Sequence, residues 1–138
     1  MRFSDGVKSH EWVEAWLNEQ IDRRYPEWGF GMWAVSLHNG NDVIGYCGLS
    51  RLPGRCAAGE AEIGYRLIER YWARGFATEA VKAVRDYAIA NLRLSRVIAI
   101  TDPMNSASVG VLKKAAFHYE RDVTFEGYTH PDQLFAFP

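Results

Sequence analysis

The chain has 138 residues, of which 16 are basic and 17 acidic, for a formal net charge of −1; 48% of them are hydrophobic. That length fits one domain with a true core, and the composition excludes disordered and collagen-like chains. The sequence shows no basic face of the kind a nucleic-acid binder carries, no apolar run long enough to span a membrane and no signal-peptide core.

The expectation is a cytoplasmic protein that engages neither nucleic acid nor membrane. Aromatic residues are frequent at 14%, with five Trp, and will fill core and line pockets. The two cysteines, Cys47 and Cys56, form no CxxC pair and no Cys/His ligand spacing, so neither a disulfide nor a metal site is expected. The four histidines do not pair at helical spacing and read as structural or surface residues.

Residues 8–24 read as an amphipathic helix with Ser9 as N-cap and Pro26 ending it. Met32 to Leu37 follows as a strand with Trp33 and Val35 on one face, and Asn39-Gly40 is a strong short hairpin signal. Asp42 to Ser50 is the returning arm. Glu60 to Ile68 alternates, with Ile63, Tyr65 and Leu67 on one face and Glu62, Gly64 and Arg66 on the other. Gly64 within it predicts a bulge or a close approach. A turn of small residues over 71–78 leads into a helix over 79–92. Arg96 to Thr101 is a continuous apolar strand of the buried kind. Ser106 to Ala115 is a short helix, and Phe117 to Thr124 and Gln133 to Phe137 are the last strands. The order predicts an α+β fold with a mixed, mostly antiparallel sheet flanked by helices.

Chemistry concentrates at residues 71–81, YWARGFATEAV. Ala73, Gly75 and Ala77 leave the backbone open to close approach. The N–H groups of residues 75 to 78 begin a helix and have no intrahelical partner, with the positive end of the helix dipole behind them. Arg74 adds a full charge. This is either an anion site suited to a pyrophosphate or an ordinary strand-to-helix turn whose amides face water. The turn by itself leaves both open.

The turn resembles the acetyl-CoA loop of the GNAT superfamily of N-acetyltransferases, patterned Gln/Arg-x-x-Gly-x-Gly/Ala. Gly75, Phe76 and Ala77 match its last three positions, and Trp72 departs from its first. Ala61-Glu62-Ile63-Gly64-Tyr65 resembles the EIGY strand of the RimJ/RimL-like branch. Val43-Ile44-Gly45 with Cys47-Gly48-Leu49 resembles its glycine-containing strand. Asn105-Ser106-Ala107-Ser108, Val111 to Lys114 and Phe117 resemble its NxxSxxVLEKxGF segment. Ala116 stands where that branch usually has Gly. The family's N-terminal strand has no counterpart, so the resemblance implies a single, N-terminally short GNAT-type domain over 1–138. Its Met32–Leu37 strand would then be an exposed edge that a homodimer could cover.

The resemblance implies a sheet whose central splay holds acetyl-CoA as co-substrate, and an amine that attacks the thioester directly. Cofactor contacts are expected from Tyr65, Leu67, Ala73, Arg74, Gly75, Phe76, Ala77, Thr78 and Asn105. Asn105 is also a good N-cap for the helix beginning at Ser106, and the two roles are compatible. Glu62 is the first candidate for general base, working through water, against a plain strand ion pair with an arginine such as Arg66. Glu126 is the second candidate. Main-chain N–H groups near Ile63 to Tyr65 or Leu67 are expected to hold the oxyanion. The tyrosine acid of many relatives falls at Leu112 and is absent, which leaves the Ser108 hydroxyl, whose bland role is hydrogen bonding in its own helix. Trp28, Phe30, Trp33, Tyr46 and Tyr128 are candidates to line the acceptor pocket. The alternative is a non-catalytic acyl-CoA-binding or regulatory module with the same fold.

Overall fold

A computed structural model describes residues 6–138. Six strands form one sheet in the order β1-β2-β3-β4-β6-β5, with β1 Met32–Ser36, β2 Val43–Ser50, β3 Glu60–Leu67, β4 Arg96–Thr101, β5 His118–Val123 and β6 Asp132–Phe137. Helices α3 (Phe76–Ala90) and α4 (Ser106–Lys114) pack together and cover one face. Only the β3–β4 pairing is parallel. The α+β architecture inferred from the element order is the one observed.

The period-2 patterns decide which side chains meet α3 and α4. Cys47, Leu49, Ala61, Ile63, Val97, Ala99 and Phe135 face these helices and pack on Val81, Ala88 and Leu112. The opposite face carries a smaller cluster of Ile98, Leu134 and Ala136, with Cys56, Ile100 and Val123 against it. Val97, Ile98 and Ala99 are therefore all buried, which is why β4 reads as an unbroken apolar run. Each such aliphatic side chain contributes roughly 1.5–3 kcal/mol by leaving water.

The N-terminal segment lies on the second face. Ser9 caps α1 (His10–Glu19) by accepting the Trp12 amide at 3.2 Å. Pro26 does not end this helical course. The chain widens into a π segment at Gln20–Arg24, and Pro26 occupies the first turn of α2, Tyr25–Trp28. There its missing N–H costs nothing. Gly29, at φ 77°, closes the segment. Trp16 packs on Tyr46 at 5.3 Å, and the Tyr25 hydroxyl donates to the Met32 carbonyl, tying the segment to β1 and β2.

Three local expectations are corrected. Asn39-Gly40 lies in the β1–β2 connection, but Gly40 is not left-handed; its amide closes a turn onto the Leu37 carbonyl at 3.2 Å, so a longer loop replaces the two-residue turn. A register shift between Val35 and Ser36 absorbs the difference. Gly64 makes no bulge. The Met32 side chain lies over it, with its methyl carbon 3.2 Å from where a Cβ would stand. Finally, α3 starts at Phe76, earlier than periodicity indicated, because Gly75 at φ 84° turns the chain directly into the helix.

Ala116, where the family favours Gly, has φ 62° between α4 and the buried Phe117. A left-handed backbone costs an L-residue roughly 1–2 kcal/mol, part of which the lower backbone entropy of alanine recovers. Ala116→Gly is expected to stabilise the protein by about 0.5–1 kcal/mol, seen as a rise of roughly 2–4 °C in Tm. An unchanged or lower Tm would show that this turn carries no strain.

Candidate active site

The central feature is the early end of the β3–β4 ladder. Only Glu60–Glu62 pair with Arg96–Ile98. Beyond Glu62↔Ile98 the strands diverge while β3 stays paired to β2 as far as Leu67. The Ile68 amide donates to Ile44 at 2.8 Å, which fixes the alternation of that ladder. Tyr46↔Arg66 and Gly48↔Gly64 are then the bonded pairs, and Tyr65 and Leu67 turn their main-chain groups toward β4 and the opening. Ile63 stands at its margin. The amides expected near Ile63 to Leu67 thus flank a real gap.

The start of α3 stands beside this gap. Ser9 caps α1, and Asn105 caps α4 by accepting the Ser108 amide at 3.2 Å. No side chain caps α3. The first main-chain bond into it runs from Glu79 to the Gly75 carbonyl, so the amides of Phe76, Ala77 and Thr78 precede the helical ladder. Gly75 has no neighbour within 4 Å of a would-be Cβ, which leaves room for a ligand to approach the backbone. Arg74 lies over the Phe76 and Tyr71 rings at 5.0 and 5.7 Å, and Arg70 lies over Tyr71 at 5.0 Å. Two guanidinium groups and an uncapped helix start therefore share one corner, and the donor set fits a pyrophosphate.

Ala73, at φ 54°, lies in the turn before Arg74. Trp72 has a role that periodicity could not reveal: its indole N–H donates to the Leu67 carbonyl at 2.7 Å, fastening this turn to the end of β3. Arg70 was likewise not singled out, although its spacing of four from Arg74 was visible. Across the gap the Tyr65 hydroxyl donates to the Ser108 carbonyl at 3.4 Å. Burial pushes the Tyr65 phenol above its usual range, so it stays protonated. Tyr65, Leu67 and the 73–78 turn lie together on the helix-covered side, with Ser108 joined to them through Tyr65; Asn105 is the cap of α4.

Glu62 lies on the other face. Its partner is Arg55, not Arg66: Nε and a terminal guanidinium nitrogen donate to its two carboxylate oxygens at 2.6 Å each. The Arg55 guanidinium lies over the Phe125 ring at 4.5 Å, and Phe125 packs on Tyr128. Glu62 is only 13% exposed. Glu126 is exposed in the loop between β5 and β6. Of the five aromatics expected in an acceptor pocket, Phe30 and Trp28 pack into the core instead, while the half-buried Trp33, edge-on to Tyr87, lines an open groove against Ala83 and Val84 of α3. Tyr46 faces the Glu62 side, and Tyr128 is exposed beside Phe125.

The fold also brings together residues far apart in sequence. Asp102, just after β4, and Asp132, opening β6, lie with His130 so that their ligand atoms are all within 4.8 Å. His130 Nε2 is 3.4 Å from Asp102. Burial, and then the Asp102 charge, raise the Asp132 carboxyl above its usual range. No helix among the described residues is long and apolar enough to cross a membrane.

Comparison with known proteins agrees with this geometry. Residues 1–118 match the acetyltransferase (GNAT) domain family. A probable N-acetyltransferase of Bacillus subtilis, YjcK, is 36% identical over 114 residues, 80% of this chain and 61% of that protein. The fold is that of a GNAT-family acetyltransferase structure from Bacillus anthracis (TM-score 0.81, 23% identity, 99% of this chain and 80% of that one). It is also that of a ribosomal-protein-S5-alanine acetyltransferase from Vibrio fischeri (TM-score 0.78, 21% identity, 96% and 76%). The chain belongs to the GNAT acetyltransferase family. It spans 48% to 70% of the length of the curated relatives it matches over 88 residues or more.

Acyl transfer can also run through a cysteine thiolate, but neither thiol here is poised for it. Burial pushes Cys47 up to about 12 and, with Glu62 and Glu60 nearby, Cys56 up to about 11. At pH 8 a thiol of pKa 11 is thiolate in roughly one molecule in 1,000, against about a quarter for an ordinary cysteine. Because a thiolate of higher pKa is also a stronger nucleophile, Cys56 in the folded protein is expected to react with a disulfide reagent at pH 8 on the order of 10-fold more slowly than in the unfolded chain. Equal rates would show that its burial does not govern its reactivity.

Proposed function

We propose that this chain transfers an acetyl group from acetyl-CoA to a primary amine, either a protein N-terminus or a small-molecule amine, by direct attack on the thioester. The observation that carries this is the β3–β4 opening, with an uncapped, arginine-flanked helix start on one side and the Glu62 carboxylate on the other. A chain-like ligand anchored by its pyrophosphate at α3 and threaded into the gap would present its acyl end between the two faces. We place the chain in the RimJ/RimL-like branch on the WARGFATEA run. The likeness to a ribosomal-protein acetyltransferase supports that placement at the level of fold.

Acetyl-CoA supplies an activated acyl group, and the residues of the chain do the rest. The amides of Phe76, Ala77 and Thr78, with Arg74, bind the pyrophosphate, and Asn105 holds the start of α4 in place. Glu62 takes the proton that the amine loses, through a water, as the N–C bond forms. Such an ammonium has a pKa of roughly 10 for a lysine and about 8 for an α-amine, so removing the proton is a real task. The Tyr65 and Leu67 amides face the developing oxyanion. As the C–S bond breaks, Ser108 relays a proton to the departing thiolate. The products are an amide and free CoA thiol.

The test is incubation with acetyl-CoA and a panel of N-terminal peptides and small amines, following thiol release. Turnover is expected, with acetyl-CoA also raising Tm; at 100 Kd the stabilisation is about 2.7 kcal/mol. Glu62→Gln should lower turnover about 100-fold and leave acetyl-CoA affinity within a few-fold. Ala77→Asp, which sets a negative charge beside the bound pyrophosphate, should weaken acetyl-CoA binding by at least about tenfold. Stabilisation without turnover on any amine would identify the chain as an acyl-CoA-binding module. Unchanged turnover in Glu62→Gln would remove that residue from the mechanism.

We also propose that one GNAT-type domain spanning 1–138 carries this activity in the cytoplasm, where two unpaired thiols are at home. We propose further that a second copy covers β1, an edge strand whose Ala34 main-chain groups point away from β2. Sedimentation should then show a concentration-dependent dimer that Ala34→Pro abolishes. A monomer at all concentrations would refute the pairing.

A further inference from the structure

We propose that Arg55 is a positioning residue for Glu62 and couples that carboxylate to the loop between β5 and β6. This rests on the role of Glu62 set out above. Arg55 belongs to none of the motifs that carry the family resemblance, and it reaches Glu62 from a separate turn in which its amide bonds the Leu52 carbonyl at 3.2 Å.

Three constraints meet on its side chain. The fork of the guanidinium grips both oxygens of Glu62 at 2.6 Å, which fixes the plane of the carboxylate as well as its place. The Phe125 ring covers one face of the guanidinium at 4.5 Å. Phe125 is in turn held by Tyr128, at 5.8 Å between ring centres. A carboxylate oxygen accepts more than one hydrogen bond. A forked arginine therefore leaves lone pairs on Glu62 for a water and decides in which direction they point. The position of the Phe125 loop, across the sheet from the cofactor helix, is passed through the guanidinium to the group that takes the proton.

A neighbouring pair supplies the comparison. Glu60, two residues earlier on β3, bonds Arg96 at 2.6 Å and the Ala57 amide at 2.9 Å. The residue types match, but Glu60 and Arg96 are cross-strand partners where the β3–β4 ladder is intact, and Arg96 is also held by Glu120 at 2.7 Å. That pair staples the sheet. The Arg55–Glu62 pair stands at the last rung before the opening.

The experiment measures kcat and KM with acetyl-CoA and an accepted amine for Arg55→Ala, Arg55→Lys, Arg96→Ala and Glu62→Gln, with Tm for each. Arg55→Ala is expected to lose about 10- to 100-fold in kcat with KM for acetyl-CoA within twofold, since a small misplacement of a reacting group has that effect. Added methylguanidinium, but not methylammonium, should restore part of the lost kcat. Arg55→Lys keeps charge and stem but not the fork, so it should fold and still lose about fivefold or more. Arg96→Ala should lower Tm and keep kcat within twofold. If Glu62→Gln is impaired while both Arg55 variants keep wild-type kcat, or if methylguanidinium restores nothing, the positioning role is wrong and the role of Glu62 stands. If Glu62→Gln is silent, or the wild-type turns over no amine, both fall together.

Discussion

Two parallel strands that share only three pairs organise this molecule. β3 and β4 are adjacent in the sheet, yet their ladder stops at Glu62↔Ile98 while β3 continues to Leu67 under the control of β2. A parted pair of strands in the middle of a sheet leaves main-chain donors and acceptors facing one another across empty space, a costly arrangement unless something answers them. Part of the answer is internal: the Trp72 indole donates to the Leu67 carbonyl. The rest are main-chain groups of β3 beyond Glu62 that no rung of the β3–β4 ladder meets.

The two faces of the sheet then take different duties. The α3/α4 face is a dense apolar core, and the Gly75 turn leads into the uncapped start of α3 on that side. The other face carries the charges. Glu60 and Glu62 stand on one strand, each held by an arginine from elsewhere in the chain. Burial raises Glu60, but the Ala57 amide and Arg96 outweigh it and hold its carboxyl below the usual range. A carboxylate fixed in this way is a reliable structural charge. Glu62 stands where the β3–β4 ladder ends, with both its oxygens held by the fork of Arg55.

The order of elements, the faces of β1 and β3 and the helix caps at Ser9 and Asn105 were legible because each depends on neighbours within a few residues: alternation, side chain to nearby amide, small residues at a turn. The small-residue turn at 73–77 was legible for the same reason. The failures were of another kind. Pro26 looked like a terminator until the π segment placed it in a first turn. Asn39-Gly40 looked like a two-residue hairpin until the register shift lengthened the loop. Phe30 and Trp28 looked like pocket residues because aromatic character does not say which side chains the core takes in.

What the sequence alone determined is therefore the local chemistry: a helix start with unpartnered amides, a strand bearing Glu62, a capped α4, and through their order an α+β fold with a mixed sheet. What only the tertiary structure decided is who meets whom. Arg55 reaches Glu62 across a loop, Trp72 bends back to Leu67, Tyr65 crosses to Ser108, and Asp102 meets Asp132 and His130 across the end of β4 and β6. The physical reason is that local propensity and periodicity extend over a few residues. Ion pairing and ladder termination depend instead on where a turn returns the chain, and the packing of the whole sheet sets that.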